Sequence, residues 1–227
     1  LLRGHHDRHQ AYLQSVNSTE SRDEAPQRHH WTRSEVLADP AFYLFLPALL
    51  AQPMLFTGFM FHQVHLVDGK GWSLAAWGGL YVLYAGVATA CKLATGLLVD
   101  RFSAIRLAPL VCLPMGLGLF ALAVSDSFAI AAVFMVLVGV SIGMYSTLSS
   151  PFYAEMYGTL HLGAIKSLTT ATMVFATAIA PALMGVLIDN GVSMEQMAVA
   201  GGAYTVVAAT LAWLGQGLAR QRPEAGV

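Results

Sequence analysis

Charge is what this sequence has least of. Lys, Arg, Asp and Glu make up 11% of its 227 residues, against roughly 25% in a soluble domain. Hydrophobic residues make up 56%, and mean hydropathy is +0.59. So few polar groups cannot coat a globule of this size, which excludes a soluble fold and makes the lipid bilayer the expected surroundings. A net charge of -1 with no basic face excludes nucleic acid as a partner. The two cysteines, Cys91 and Cys112, both fall in apolar runs, so they read as small buried hydrophobes and not as a disulfide framework. No nucleophile elbow, Walker-type phosphate loop or metal-ligand set is read here, so neither an enzyme nor a cofactor is expected.

The charge that is present is unevenly placed. Residues 1–36 hold five arginines, five of the eight histidines and five acidic residues, the composition of a disordered polar linker. His5, His6, His9, His29 and His30 read either as metal ligands or as part of a plain polar loop, since no Cys or carboxylate frames a site. Trp31 to Pro40 reads as an interfacial lead-in, with an aromatic ring, charges and a proline near a helix start. The chain begins at Leu1 in polar sequence, which suggests a piece of something longer. The expected organisation is a polar linker over 1–36, a membrane bundle over 37–220 and a polar tail over 221–227.

Six apolar runs follow the leader, at about Ala41–Val64, Leu74–Val99, Leu107–Val124, Phe128–Leu148, Ala164–Ile188 and Ala198–Leu218. Each is near the ~20 residues that cross a bilayer as a helix. They are too long for barrel strands and do not alternate, so the expected fold class is an all-α membrane protein of six transmembrane helices. Six crossings put both termini on one side, with ten Lys and Arg residues against Lys70 alone on the other and Lys92 inside a run. That bias places the termini in the cytoplasm of a cell whose inner membrane holds the bundle.

Inside the runs, Gly139 and Gly143 form a GxxxG, which lets two helix backbones approach closely. Pro47, Pro53 and Pro181 predict kinks usable as hinges. Gln52, Phe56, Phe59 and Gln63 fall on one stripe, either a cavity wall or a helix contact. His62 and His65 lie at the end of the first run, as interfacial groups or proton sensors. Ser141, Tyr145, Thr170 and Thr177 line a path or bond their own helices. Lys92 lies eight residues before Asp100, ~12 Å along a helix, hence near mid-membrane. A cation there costs at least ~2.5 kcal/mol unless it faces water or a partner. Tyr81, Ala85 and Ala88 share its helical face. Lys92 therefore reads as an anion-binding group with Tyr81, Gln52, Phe56 and Tyr145 around the same cavity. The alternative is a structural pair with an acid elsewhere, or a snorkelling side chain.

The break between the second and third runs, Gly96-Leu97-Leu98-Val99-Asp100-Arg101-Phe102-Ser103-Ala104-Ile105-Arg106, resembles the signature turn of the major facilitator superfamily of secondary transporters. That turn has the form G-x-x-x-D-[RK]-x-G-x-[RK]-[RK]; Gly96, Asp100, Arg101 and Arg106 match it, and Ser103 stands in place of the second glycine. The resemblance implies the carboxy-terminal six-helix half of such a carrier, preceded by the linker and lacking its amino-terminal half. It also implies alternating access with a small-molecule substrate. Asp100 would then latch the start of the helix near Gly163 and Ala164, and Glu155 would pair with Arg101 or Arg106. Carriers of the oxalate/formate and monocarboxylate branch place a substrate-binding cation at the spacing of Lys92, with an Asp one turn earlier where this chain has Ala88. The expected activity is therefore transport of a small organic anion by a secondary carrier such as an antiporter. An exporter of drugs or neutral solutes and a non-transporting sensor on the same scaffold are the alternatives.

Overall fold

The structure, a computed structural model, describes residues 30–221. Among these every regular element is helical. A short helix α1, Arg33–Ala38, opens with the Thr32 backbone N–H donating to Glu35 Oε2 at 2.6 Å and buries Val36. The first crossing is α2, Pro40–Phe61. Its start is fixed by Pro40 in the first turn and by Asp39, which accepts from the Ala41 N–H at 3.1 Å. The second crossing is α4, Leu74–Phe102, reached through α3, Gln63–Gly69. A four-residue helix α5, Ala104–Leu107, a 3-10 turn, Ala108–Leu110, and α6, Leu113–Val124, make the third crossing. Helices α7, Phe128–Tyr157, α8, Leu162–Asp189, and α9, Met194–Arg220, complete it. Six of these segments are long and apolar enough to span a membrane. The chain is thus an all-α membrane protein in contact with lipid.

The first, third and fourth crossings differ from the expected outlines. α2 runs through Pro47 and Pro53 and stops at His62, so the stripe from Gln52 to Gln63 is broken before its last member. Two prolines divide the third crossing: Pro109 lies in the 3-10 turn and Pro114 in the first turn of α6, and neither has an N–H for a helical ladder. The stretch Ser149-Ser150-Pro151, which reads as a loop, instead continues α7 for more than two further turns. Phe152, Tyr153, Met156 and Tyr157 recur at helical spacing there and are all buried, and that apolar face outweighs the proline.

Two apolar clusters hold the bundle. One, at the end bearing Arg101 and Arg106 (hereafter the basic end), gathers Phe45, Val111, Leu148, Phe152 and Ala212. The other, toward Lys70, gathers Phe59, Trp77, Leu119, Phe134 and Met197. α4 lies along α7 and α8 along α2. The α4–α7 contact depends on the GxxxG pair. A Cβ at Gly143 would stand 2.9 Å from the Ala88 carbonyl oxygen, and one at Gly139 would stand 2.9 Å from that of Tyr84. α4 and α8 are also the exposed helices: 11% of the most apolar window of each is buried, against 39–50% in the other four crossings. Val82, Leu93 and Leu97 of α4 and Phe175 of α8 stand open.

Candidate functional site

The turn after α4 is built by Glu155, from the last turn of α7. Its carboxylate accepts from Ser103 Oγ at 2.6 Å and from the backbone N–H groups of Ala104 and Ile105 at 3.0 and 3.3 Å. These N–H groups are the unsatisfied donors at the start of α5, where a carboxylate is favoured. Gln216 of α9 closes the other side, with Nε2 donating to the carbonyls of Ile105 and Arg106 at 2.9 and 3.0 Å. Glu155 therefore holds the backbone of the turn and forms no ion pair with Arg101 or Arg106. The Arg101 guanidinium instead lies over the Phe102 ring, 5.3 Å from its centroid, and Arg106 is exposed. Ser103 has φ +71°, a backbone setting that favours glycine. This is the position at which the signature turn carries its second glycine.

Asp100 is exposed and does not reach α8. No side chain caps α8 at its N-cap residue, His161. Because α4 packs on α7 and α8 on α2, the expected latch between Asp100 and the Gly163–Ala164 end is not formed within the bundle. Gly96 faces open space.

Lys92 stands exposed on α4 with no acidic partner among the described residues; its backbone carbonyl accepts from Thr147 Oγ1 of α7 at 3.3 Å. The residues expected around it are dispersed. Tyr81 is eleven positions away, ~16 Å along the helix, and its hydroxyl donates to Gln63 Oε1 at 2.7 Å. Ala88 is turned into the α7 contact and buried. Phe56 stacks on Tyr84 with centroids 5.8 Å apart. The Tyr145 hydroxyl meets Met173 Sδ at 3.1 Å. Gln52 is buried inside the bundle, 1% exposed, and its Nε2 has no hydrogen-bond partner. Of the expected set, Lys92 alone keeps a free polar group on an open face.

Other polar groups serve the helix contacts. Ser141 is buried and donates to the Val111 carbonyl at 2.7 Å. The run Gly139-Val140-Ser141-Ile142-Gly143 does have the G-x-S-x-G spacing of a nucleophile elbow. It lies within one helix and not at a strand-to-helix turn, with Ser141 committed to a carbonyl, so it is no nucleophile elbow. Thr177 bonds its own helix, donating to the Val174 carbonyl at 2.9 Å, whereas Thr170 opens onto a groove along α8. His62 Nε2 lies 2.9 Å from the Pro181 carbonyl oxygen, tying α2 to α8, and His65 is exposed. No cluster of three metal-ligating side chains occurs among the described residues. His5, His6, His9 and His29 lie outside them.

No local pattern in the chain marks the cluster at the far end. Lys70 is buried, and its ammonium meets Asp126 Oδ1 at 2.6 Å and Glu195 Oε1 at 3.0 Å. Burial opposes the charge, yet the two carboxylates outweigh it and raise the Lys70 pKa above its ordinary 10.5. Trp72 Nε1 donates to the Asp126 carbonyl at 2.6 Å. Three connections of the bundle meet at this one amine, and its partners are 56 and 125 residues downstream, beyond any local pattern.

Compared with known families, residues 11–181 match the family model described as Major Facilitator Superfamily. Neither a curated protein nor a solved structure matches the chain.

Proposed function

The chain belongs to the major facilitator superfamily, a family of membrane transporters, and on that premise we propose that it carries a small organic anion by alternating access. Lys92 is the observation that carries the substrate class. It is an exposed cation inside an apolar crossing, without an acidic partner among the described residues, and its retention there calls for water or a passing negative group. A mono- or dicarboxylate matches an ammonium at such a site as a point charge.

In this reading the basic end faces the cytoplasm of the cell whose inner membrane holds the protein, by the bias of Lys and Arg. The exposed faces of α4 and α8 receive a second six-helix half, and substrate binds near the midplane between the halves. Asp100, Arg101 and Arg106 would then act on that half, which agrees with Asp100 finding no partner inside this bundle. Transport would be driven by exchange or by an ion gradient, with the two halves rocking about the bound anion.

Counterflow in proteoliposomes made with the full-length protein tests this. Labelled lactate and succinate should accumulate against their unlabelled forms without ATP, and a neutral or cationic solute should not. Counterflow of neutral solutes alone would favour an exporter in which Lys92 is structural. Absence of counterflow by every member of the panel would favour a sensor.

A further inference from the structure

Like Arg101, Arg106 and Arg220, two further cations at the basic end have no acidic partner among the described residues, and these two rest on serine hydroxyls. Lys166, in the second turn of α8, directs its ammonium to Ser150 Oγ of α7 at 2.6 Å. Arg33 of α1 donates through Nη2 to Ser167 Oγ at 3.1 Å. Each is satisfied by a hydroxyl alone, and neither has an acidic partner among the described residues. A hydroxyl partner leaves the positive charge uncompensated. Lys166 is half-buried and stands on the open face of α8 with Gly163, Ser167, Thr170, Val174 and Phe175.

Lys92 and Lys166 are both tied to α7, and Arg33 joins Lys166 through Ser167 of α8. Thr147, which donates to the Lys92 carbonyl, lies three residues before Ser150, on the same face and one turn closer to mid-membrane. Lys166 therefore lies nearer the basic end than Lys92. The opposite end shows the reverse balance, since its buried cation, Lys70, is matched by two carboxylates. An uncompensated positive charge at one end of the bundle raises the local concentration of anions there.

We infer that Lys166, with Ser150 and Ser167 beside it and Arg33 at the rim, is an anion-docking subsite at the basic end of the bundle, where a carboxylate pauses on its way to or from Lys92. The inference rests on the anion reading above but extends it to residues that reading does not use. Lys166 trades its bond to Ser150 for the carboxylate, and the serine hydroxyls donate to the second oxygen. Charge asymmetry between the two mouths makes the basic end the side of tighter anion capture.

A chemical-protection experiment tests the subsite without relying on transport. The full-length protein in neutral-lipid nanodiscs is exposed to an amine-acylating reagent, and modification of Lys166 is followed by mass spectrometry with succinate or sucrose present. Succinate should slow acylation of Lys166 several-fold, sucrose should not, and the protection should persist in Lys92→Ala protein. No acylation of Lys166 under any condition, or a rate that succinate leaves unaltered, overturns the proposal. So does full protection by phosphatidylglycerol to which succinate adds nothing, since the ligand would then be a lipid headgroup. Protection by succinate in a protein that moves no carboxylate would keep this subsite and remove the transport reading. Where exchange is measurable, Lys166→Gln should raise KM about tenfold for anion offered at the basic end, and by less at the other end, with Lys166→Arg close to the parent. An equal rise at both ends would contradict the directional role.

Discussion

Ser103 shows what a single position asks of its residue. Its φ of +71° costs a non-glycine residue on the order of 1–3 kcal/mol, and the hydroxyl offsets part of this through its 2.6 Å bond to Glu155. Replacing Ser103 by Ala keeps the strain and loses the bond, so thermal unfolding in detergent should show Ser103→Ala about 1–2 kcal/mol less stable. Ser103→Gly, which loses both, should stay near the parent. Equal stability of Ser103→Ala and the parent would contradict this account. Gln52 runs the other way. Its buried amide nitrogen has no partner, a condition that costs about 1–3 kcal/mol, and Gln52→Met should raise the unfolding temperature. Spacing puts Gln52 on a stripe with Phe56 and Phe59, and the structure buries it among the helices of the bundle. Side-chain spacing fixes residues relative to one another, and which stripe meets the other helices is decided by their packing.

At the scale of elements, the α4–α7 contact is the most extensive in the bundle. A Cβ on Gly143 would fall 2.6 Å from Cys91 Cβ, so Gly143→Leu must push the helices apart, at on the order of 1–3 kcal/mol or more. The same substitution at Gly78, which faces open space, should cost little, and cross-linking between α4 and α7 should separate the two cases. This contact was legible in sequence because GxxxG is local. The Lys70 knot was not. In sequence Lys70 is one loop cation, and its partners belong to the start of α7 and of α9 only once the crossings have folded together. Its raised pKa fixes the sign of the pH effect. The amine contributes stability in full below 10.5, and that contribution is lost as pH climbs through the raised value. Lys70→Met should therefore remove an alkaline step from the curve of unfolding temperature against pH. Asp126→Asn with Glu195→Gln, which strands the buried ammonium, should destabilise at neutral pH by more than Lys70→Met does.

For the whole molecule, composition and run length were enough to give the all-helical membrane fold, because lipid permits so few spanning solutions. The turn at Gly96–Arg106 pointed to the family that residues 11–181 match. Which side chains stay free beside Lys92 was not legible. Tyr81, Gln52, Phe56 and Tyr145 are occupied within the bundle or buried, and the exposed faces of α4 and α8 leave Lys92 and Lys166 looking onto space that this bundle does not close. Exchange of labelled succinate in proteoliposomes of the full-length protein, compared between the parent, Lys92→Ala and Lys92→Arg, puts the central claim to its most direct test. The account predicts that Lys92→Ala loses exchange while still reaching the membrane, and that Lys92→Arg, which keeps the charge, retains part of it. Exchange by Lys92→Ala at the parent rate would contradict it.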